Sequence, residues 1–266
     1  MKQIPTLVIG LVVCVLRGNS IAQETQRVDA VTPTDVASNA IQRTTAANKY
    51  VVLVFHRKGE NTTALRETVK KAVDVSKGRA ESVEVDASDP ACQPTVRKYG
   101  VDRAPLPIVL VIAPNGAVTG RFPGSCDARM LSDAMVGRTF AACLKNLQSG
   151  KLVFVAVAGT NAASNQAAMK GINEMAADER FIGYTETLQV QAEDKDSADL
   201  LAKLNVTDAG PTPVTVLLAP PGRVVGTYKG ATDKETMVAD LIKAMSGASC
   251  GSGGGCGSGA GRCNPQ

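Results

Sequence analysis

The stretch Tyr99–Gly124, YGVDRAPLPIVLVIAPNGAVTGRFPG, decides how the rest of the chain is read. Pro107 to Ala113 has the length and aliphatic content of a buried strand. Pro114-Asn115-Gly116 is a hairpin turn, because Asn-Gly supplies positive φ at little cost, so Ala117 to Phe122 returns antiparallel to it. The unit occurs twice: PIVLVIAPNGAVTGRFPGSCD from Pro107 overlays PVTVLLAPPGRVVGTYKGATD from Pro213 without a gap. Ala113, Pro114, Gly116, Val118, Gly120, Gly124 and Asp127 then fall on Ala219, Pro220, Gly222, Val224, Gly226, Gly230 and Asp233. A repeat this long, made of one supersecondary unit, means two copies of one small domain.

Outward from this unit, each copy has the same order of elements. Thr34-Asp35 caps a helix that runs to about Ala47. Tyr50–Phe55 is a continuous apolar run, as in a strand covered on both faces. A helix with Leu65, Val69, Ala72 and Val73 at helical spacing follows, ended by Gly78, and Ser82–Val85 is a second strand. Strand, helix and strand in that order predict a right-handed crossover between parallel strands. Asp89-Pro90 opens a short helix before the Pro107 strand, and Asp127–Met135 closes the copy. The second copy reads as a helix at Thr139–Leu147, strand Leu152–Ala158, helix Ala162–Ala177, strand Tyr184–Val190 and helix Ser197–Leu204. Strands Pro213–Ala219 and Arg223–Tyr228 and a helix from Asp233 to Met245 complete it. The joint near residues 137–150 is short, which favours a closely coupled pair.

Composition narrows the function classes. The 266 residues contain 3% aromatics and no Trp, so the cores must be aliphatic and aromatic-driven recognition is not expected. The formal charge of +4 is small, and its carriers are interspersed with acids, which gives no footprint for nucleic acid. Residues 1–22 resemble a secretory signal peptide: Lys2, an apolar run from Ile4 to Leu16, and small residues at Ser20 and Ala22. The run is shorter than the roughly 20 residues of a membrane span, so an extracytoplasmic protein with no stable span is expected: secreted, periplasmic or at the cell surface. The divisions expected are a signal peptide (1–22), a linker (23–33), two domains (34–137 and 138–246) and a Gly/Ser/Cys-rich tail (247–266) too low in complexity to build a core.

Val83-Glu84-Val85-Asp86, Asp89-Pro90, Lys98-Tyr99-Gly100-Val101, a proline opening a strand, Asn115-Gly116 and a glycine before the last helix together resemble the back half of a thioredoxin. The resemblance covers both copies and implies an α/β fold of two tandem thioredoxin-like domains, each a mixed central sheet flanked by helices. It implies that Pro107 and Pro213 follow cis peptide bonds, with Leu106, Pro107, Thr212 and Pro213 forming two loops able to bind polypeptide. The family's Cys-x-x-Cys is missing. Its place falls on Glu60-Asn61-Thr62-Thr63 in the first copy and Ala162-Ala163-Ser164-Asn165 in the second, neither of which supplies a thiolate.

Other residues offer weaker chemistry. Cys92 and Cys126 are candidates for a displaced redox pair, with Cys126 just ahead of a helix N-terminus that would favour its thiolate. A structural disulfide or two unpaired buried thiols are the alternatives, and Cys143 is read as a core residue or a partner for one of them. Cys250, Cys256 and Cys263 are weak metal candidates, because their spacings of six and seven do not match a structural zinc site. His56 is the only histidine, so no His-based cluster can form. No Gly-rich phosphate loop, nucleophile elbow or carboxylate pair is present, and no cofactor is expected. The sequence therefore points to a non-catalytic binding or scaffold protein whose partner is a polypeptide. The alternative is a thiol–disulfide oxidoreductase or metal handler using Cys92 and Cys126 or the tail cysteines.

Overall fold

A computed structural model describes residues 35–206 and 210–246. The leader, the linker, and the tail with Cys250, Cys256 and Cys263 lie outside these residues. Two four-stranded sheets with the same strand arrangement follow one another along the chain.

In the first, Asp35 caps α1 (Val36–Ala46) by accepting from the Ser38 N–H. β1 (Tyr50–His56) leads to α2 (Thr63–Val75) and then to β2 (Ala80–Asp86), which pairs parallel to β1. A 3-10 turn (Pro90–Cys92) runs into α3 (Gln93–Lys98), whose Thr95 ties back to Asp35 through both its N–H and its hydroxyl. β3 (Ile108–Ile112) then pairs antiparallel to β1, and β4 (Val118–Pro123) antiparallel to β3, giving the order β2-β1-β3-β4. The hairpin between β3 and β4 turns at Gly116, whose φ of +80 is the conformation its sequence anticipates. α4 (Ala128–Asp133) closes the copy, capped by Asp127.

β1 and β3 explain why the apolar runs are unbroken. Val51, Leu53 and Phe55 lie opposite Ile112, Leu110 and Ile108 and build one core, while Val52 and Val54 with Val109 and Val111 build another. Successive side chains of a strand point to opposite faces, so a strand covered on both sides must be apolar at every position. All ten of these side chains are at most 1% exposed, and burial of each contributes about 1.5–3 kcal/mol.

The second copy runs α5 (Arg138–Gln148), β5 (Leu152–Val157), α6 (Ala162–Ala176), β6 (Thr185–Val190), α7 (Ala198–Lys203), β7 (Val214–Ala219), β8 (Arg223–Lys229) and α8 (Lys234–Met245), with sheet order β6-β5-β7-β8. Its pairing repeats that of the first: β5 is parallel to β6 and antiparallel to β7, and β7 is antiparallel to β8.

α5 belongs to both copies. Ala141 and Leu144 pack into the first core, and Gln148 binds β4 at Val118, accepting from its N–H at 3.0 Å and donating to its carbonyl at 2.7 Å. Phe140, Cys143 and Leu147 pack into the second core. Each set follows the i, i+3, i+7 spacing of one helical face, and the two sets are offset by one residue. The described residues from Asp35 onward accordingly belong to one compact unit.

The joint is fixed at the start of α5. Gly137 approaches the loop before α7 so closely that a Cβ there would sit 2.3 Å from the Asp196 carbonyl oxygen. Tyr50, at the start of β1, donates its hydroxyl to the Val136 carbonyl and holds the same connector from the other side.

Candidate functional site

The expected site lies where β1 ends and β3 begins. Leu106–Pro107 is a cis peptide, as the family resemblance implies. The Pro107 carbonyl accepts from the Gly124 N–H at 2.8 Å, closing β3 against β4 at this end. Leu106 is half-buried against the core that contains Phe55 and Ile108. Its own backbone N–H and C=O have no hydrogen-bond partner among the described residues.

Thr212–Pro213 departs from expectation: among the described residues the cis peptides are Leu106–Pro107 and Pro220–Pro221, so the bond before Pro213 is trans. The loop before Pro213 takes another course because it is bonded to the β5–α6 turn, Thr160 N–H donating to the Gly210 carbonyl at 2.9 Å. Gly159 makes room for it, since a Cβ there would lie 2.8 Å from the Pro211 carbonyl oxygen and 2.9 Å from the Pro213 nitrogen. In the first copy Arg57 stands at the corresponding place after the strand, so this approach is closed to it. The Pro213 carbonyl still accepts from Gly230 N–H at 2.8 Å, and the backbone groups of exposed Thr212, like those of Leu106, have no partner among the described residues.

At the position of the absent dithiol, α2 starts from Thr62, which makes no side-chain cap hydrogen bond. Thr62 is 3% exposed, and its hydroxyl oxygen is buried without a partner. The Thr63 N–H is taken by the Asn61 side chain at 3.2 Å, whereas the next two amides, of Ala64 and Leu65, have no acceptor among the described residues. The corresponding turn of the second copy is satisfied from within. Asn161 caps α6 at Ser164, and the Asn165 amide spans the Gly159 N–H and carbonyl at 2.8 Å each.

The cysteines do not converge. Cys126 packs against the core built on Val52, Val54, Val109 and Val111, and Cys92 against the core on the opposite face of the same sheet. A sheet therefore separates the two candidates for a displaced redox pair, and Cys92, Cys126 and Cys143 are all free thiols. The expectation of a favoured thiolate at Cys126 is also overturned. Burial pushes its pKa up, and the carboxylate of Asp127, the actual cap of α4, adds to the effect. Burial first, then Asp89, Asp35 and Asp86, raises Cys92. Cys143 lies in the second core at 1% exposure, its pKa pushed up to about 11 by burial.

His56 sits at the β1 end with Nε2 3.7 Å from Glu84, whose carboxylate also takes Arg66 at 2.7 Å. This is a contact between neighbouring strands, and β1 is an interior strand of the sheet, so His56 is half-buried at a strand end rather than on a sheet edge. Among the described residues no three His, Cys, Asp or Glu side chains are grouped to hold a metal, and no helix is long and apolar enough to cross a membrane. One feature went unseen in the sequence. A cleft of about 680 Å³ opens at the joint of the two copies, with Tyr50 and Arg79 on one side and Asp196 on the other.

A central parallel pair, an antiparallel hairpin added to its other side and helices on both faces define the thioredoxin-like fold, and the chain carries two of them in tandem, the first with a cis proline just ahead of β3. No protein-family model matches the chain, and no curated protein matches it. Solved structures similar to it include the first two thioredoxin domains of Saccharomyces cerevisiae Eps1p, at 10% identity over 77% of this chain and 95% of that one, with a TM-score of 0.29. Human ERp44 is similar at 13% identity over 87% of this chain and 60% of its own, with a TM-score of 0.35. Thioredoxin O2 of Arabidopsis thaliana matches 39% of this chain and 87% of its own at 14% identity, with a TM-score of 0.31. Likeness at this level adds nothing to what the strand order already establishes.

Proposed function

We propose that this is an exported, non-catalytic protein that uses its thioredoxin-like folds to bind extended polypeptide. The observation that carries the reading is Leu106, whose N–H and C=O are both without partners beside the cis Pro107 at the open end of the first sheet. A donor and an acceptor on one residue at a sheet end are what an extended chain pairs with by main-chain hydrogen bonds. Thr212 offers the same two groups in the second copy, in a loop of different shape. Three observations argue against thiol exchange: Thr62 occupies the nucleophile's region, Cys92 and Cys126 lie on opposite faces of a sheet, and both thiols are held toward the protonated form. The export part of the reading is supported by the charge and apolar pattern of residues 1–22.

The test is an NMR titration of the ¹⁵N-labelled protein with a reduced, carboxymethylated polypeptide that cannot fold. Saturable shifts at the amides of Leu106, Ile108 and Gly124 are expected. A spectrum unchanged at those amides while the polypeptide is in large excess overturns the reading.

A further inference from the structure

The cleft at the joint is not part of the site described above, and its chemistry is specific. Its volume of about 680 Å³ lies in the range of small-molecule sites, and domain junctions are where such sites concentrate. Its apolar wall comes from Ala46, Pro114, Val136 and Ala142, with the buried Tyr50 between them.

Three of the polar side chains facing it, Arg79, Asn115 and Asn48, keep donors without acceptors among the described residues, while Thr45 and Tyr50 donate to the Ile41 and Val136 carbonyls. Arg79 is exposed and makes no ion pair among the described residues; only its Nε is engaged, with the Ser76 carbonyl at 3.3 Å. Asn115 uses its Oδ1 on the Ala117 N–H, and among the described residues neither its amide nitrogen nor the Asn48 side chain has a hydrogen-bond partner. The second guanidinium, Arg138, already faces Asp196 at 3.6 Å. Asp199 is likewise committed, accepting from the Gly137 N–H.

We infer that this cleft binds a small organic monocarboxylate with a compact apolar body, its carboxylate paired with Arg79 and Asn115. A guanidinium presents two parallel N–H groups to a carboxylate, and such charge-assisted pairs are the stronger hydrogen bonds. The rest of the charge pattern argues for a single negative charge. Arg138 faces Asp196, which leaves Arg79 as the one charged side chain lining the cleft without an ion partner among the described residues, a match for one carboxylate rather than for a doubly charged phosphate. The lining comes from both copies, Asn48, Tyr50, Arg79 and Asn115 from the first and Asp196 from the second, so an occupant spans the joint.

The experiment is an NMR titration of the full chain with sodium benzoate at constant ionic strength, with inorganic phosphate as the comparison. Saturable shifts at Tyr50, Val136 and Ala142 are expected with benzoate, with a dissociation constant at least tenfold below that for phosphate. Arg79→Gln, a change at an exposed side chain, is expected to weaken benzoate binding at least tenfold. Asn115→Asp keeps the turn acceptor for Ala117 and adds a repelling charge, so it is expected to weaken binding as much, while Arg103→Gln, outside the cleft, leaves it unchanged. Non-saturable shifts, equal affinity for phosphate, or undiminished binding in both Arg79→Gln and Asn115→Asp would overturn the assignment.

Discussion

The carboxylate of Asp199 accepts a hydrogen bond of 2.5 Å from the backbone N–H of Gly137, joining α7 of the second copy to the N-cap residue of α5. The bond satisfies one of the amides that a helix start leaves open, and it ties the second copy's α7 to the end of the connector from the first. Gly137 can sit there only because it has no side chain to meet the Asp196 carbonyl.

Gly137→Ala is therefore expected to destabilise the protein by about 1–3 kcal/mol, the range for inserting a methyl into a site without room. Asp199→Ala, which strands the Gly137 amide, is expected to cost a similar amount, about 1–3 kcal/mol. Urea unfolding of the two single variants and the double variant checks this. Their effects should not add, because both act on one contact.

Thr62→Val should stabilise the fold. The hydroxyl is buried without a partner, and removing such a group while keeping its shape recovers about 1 kcal/mol of desolvation. The urea midpoint is expected to rise, and a fall would mean that the hydroxyl has a partner in solution.

Cys143 gives a pH signature. Its pKa rises from 9.0 in the reference state to about 11 when folded, so the unfolded chain releases the proton first as pH increases. Its contribution is fully present below pH 9 and is lost as pH rises toward 11, amounting to about 2–3 kcal/mol over the window. Stability measured from neutral pH to pH 11 should fall less steeply in Cys143→Ala than in the parent, with the tyrosines titrating equally in both.

The protein is expected not to reduce insulin disulfides in the presence of a thiol reductant, and Cys126→Ser is expected to change nothing. Turbidity of precipitating insulin chains reports it. Robust activity abolished by Cys126→Ser would restore the oxidoreductase alternative.

Much of this fold was legible because β1 and β3 are apolar at every position and the Pro107 unit recurs at Pro213. The cap at Asp35, helix starts at Asp127 and Asp233 and the Asn115-Gly116 turn placed the element boundaries to within a few residues. The isomer at Pro213 was not legible, since it depends on how Gly210 bonds to Thr160 and on the space left by Gly159, which are contacts between distant segments. Cys92 and Cys126 looked like neighbours because both precede helices at one end of the sheet, and only strand alternation in three dimensions puts them on opposite faces. Their thiol chemistry was misread for a related reason. A helix start favours a thiolate, but burial and a neighbouring capping aspartate outweigh it. The joint cleft had no sequence signal, because Tyr50 and Arg79 meet through the pairing of β1 with β2 and Asp196 reaches them only through the packing of the joint.

That packing has a consequence for how the chain acquires its structure. Phe140, Cys143 and Leu147 stabilise one core while Ala141, Leu144 and Gln148 complete the other, so neither half finishes folding until the same eleven-residue helix has docked on both. The two repeats should melt in one cooperative transition, with a denaturant slope suited to the whole unit rather than to half of it. A first half produced alone and ending at Val136 would expose the surface that α5 covers. Extending it through Gln148 would restore that surface and leave Phe140 and Leu147 as an apolar stripe facing water.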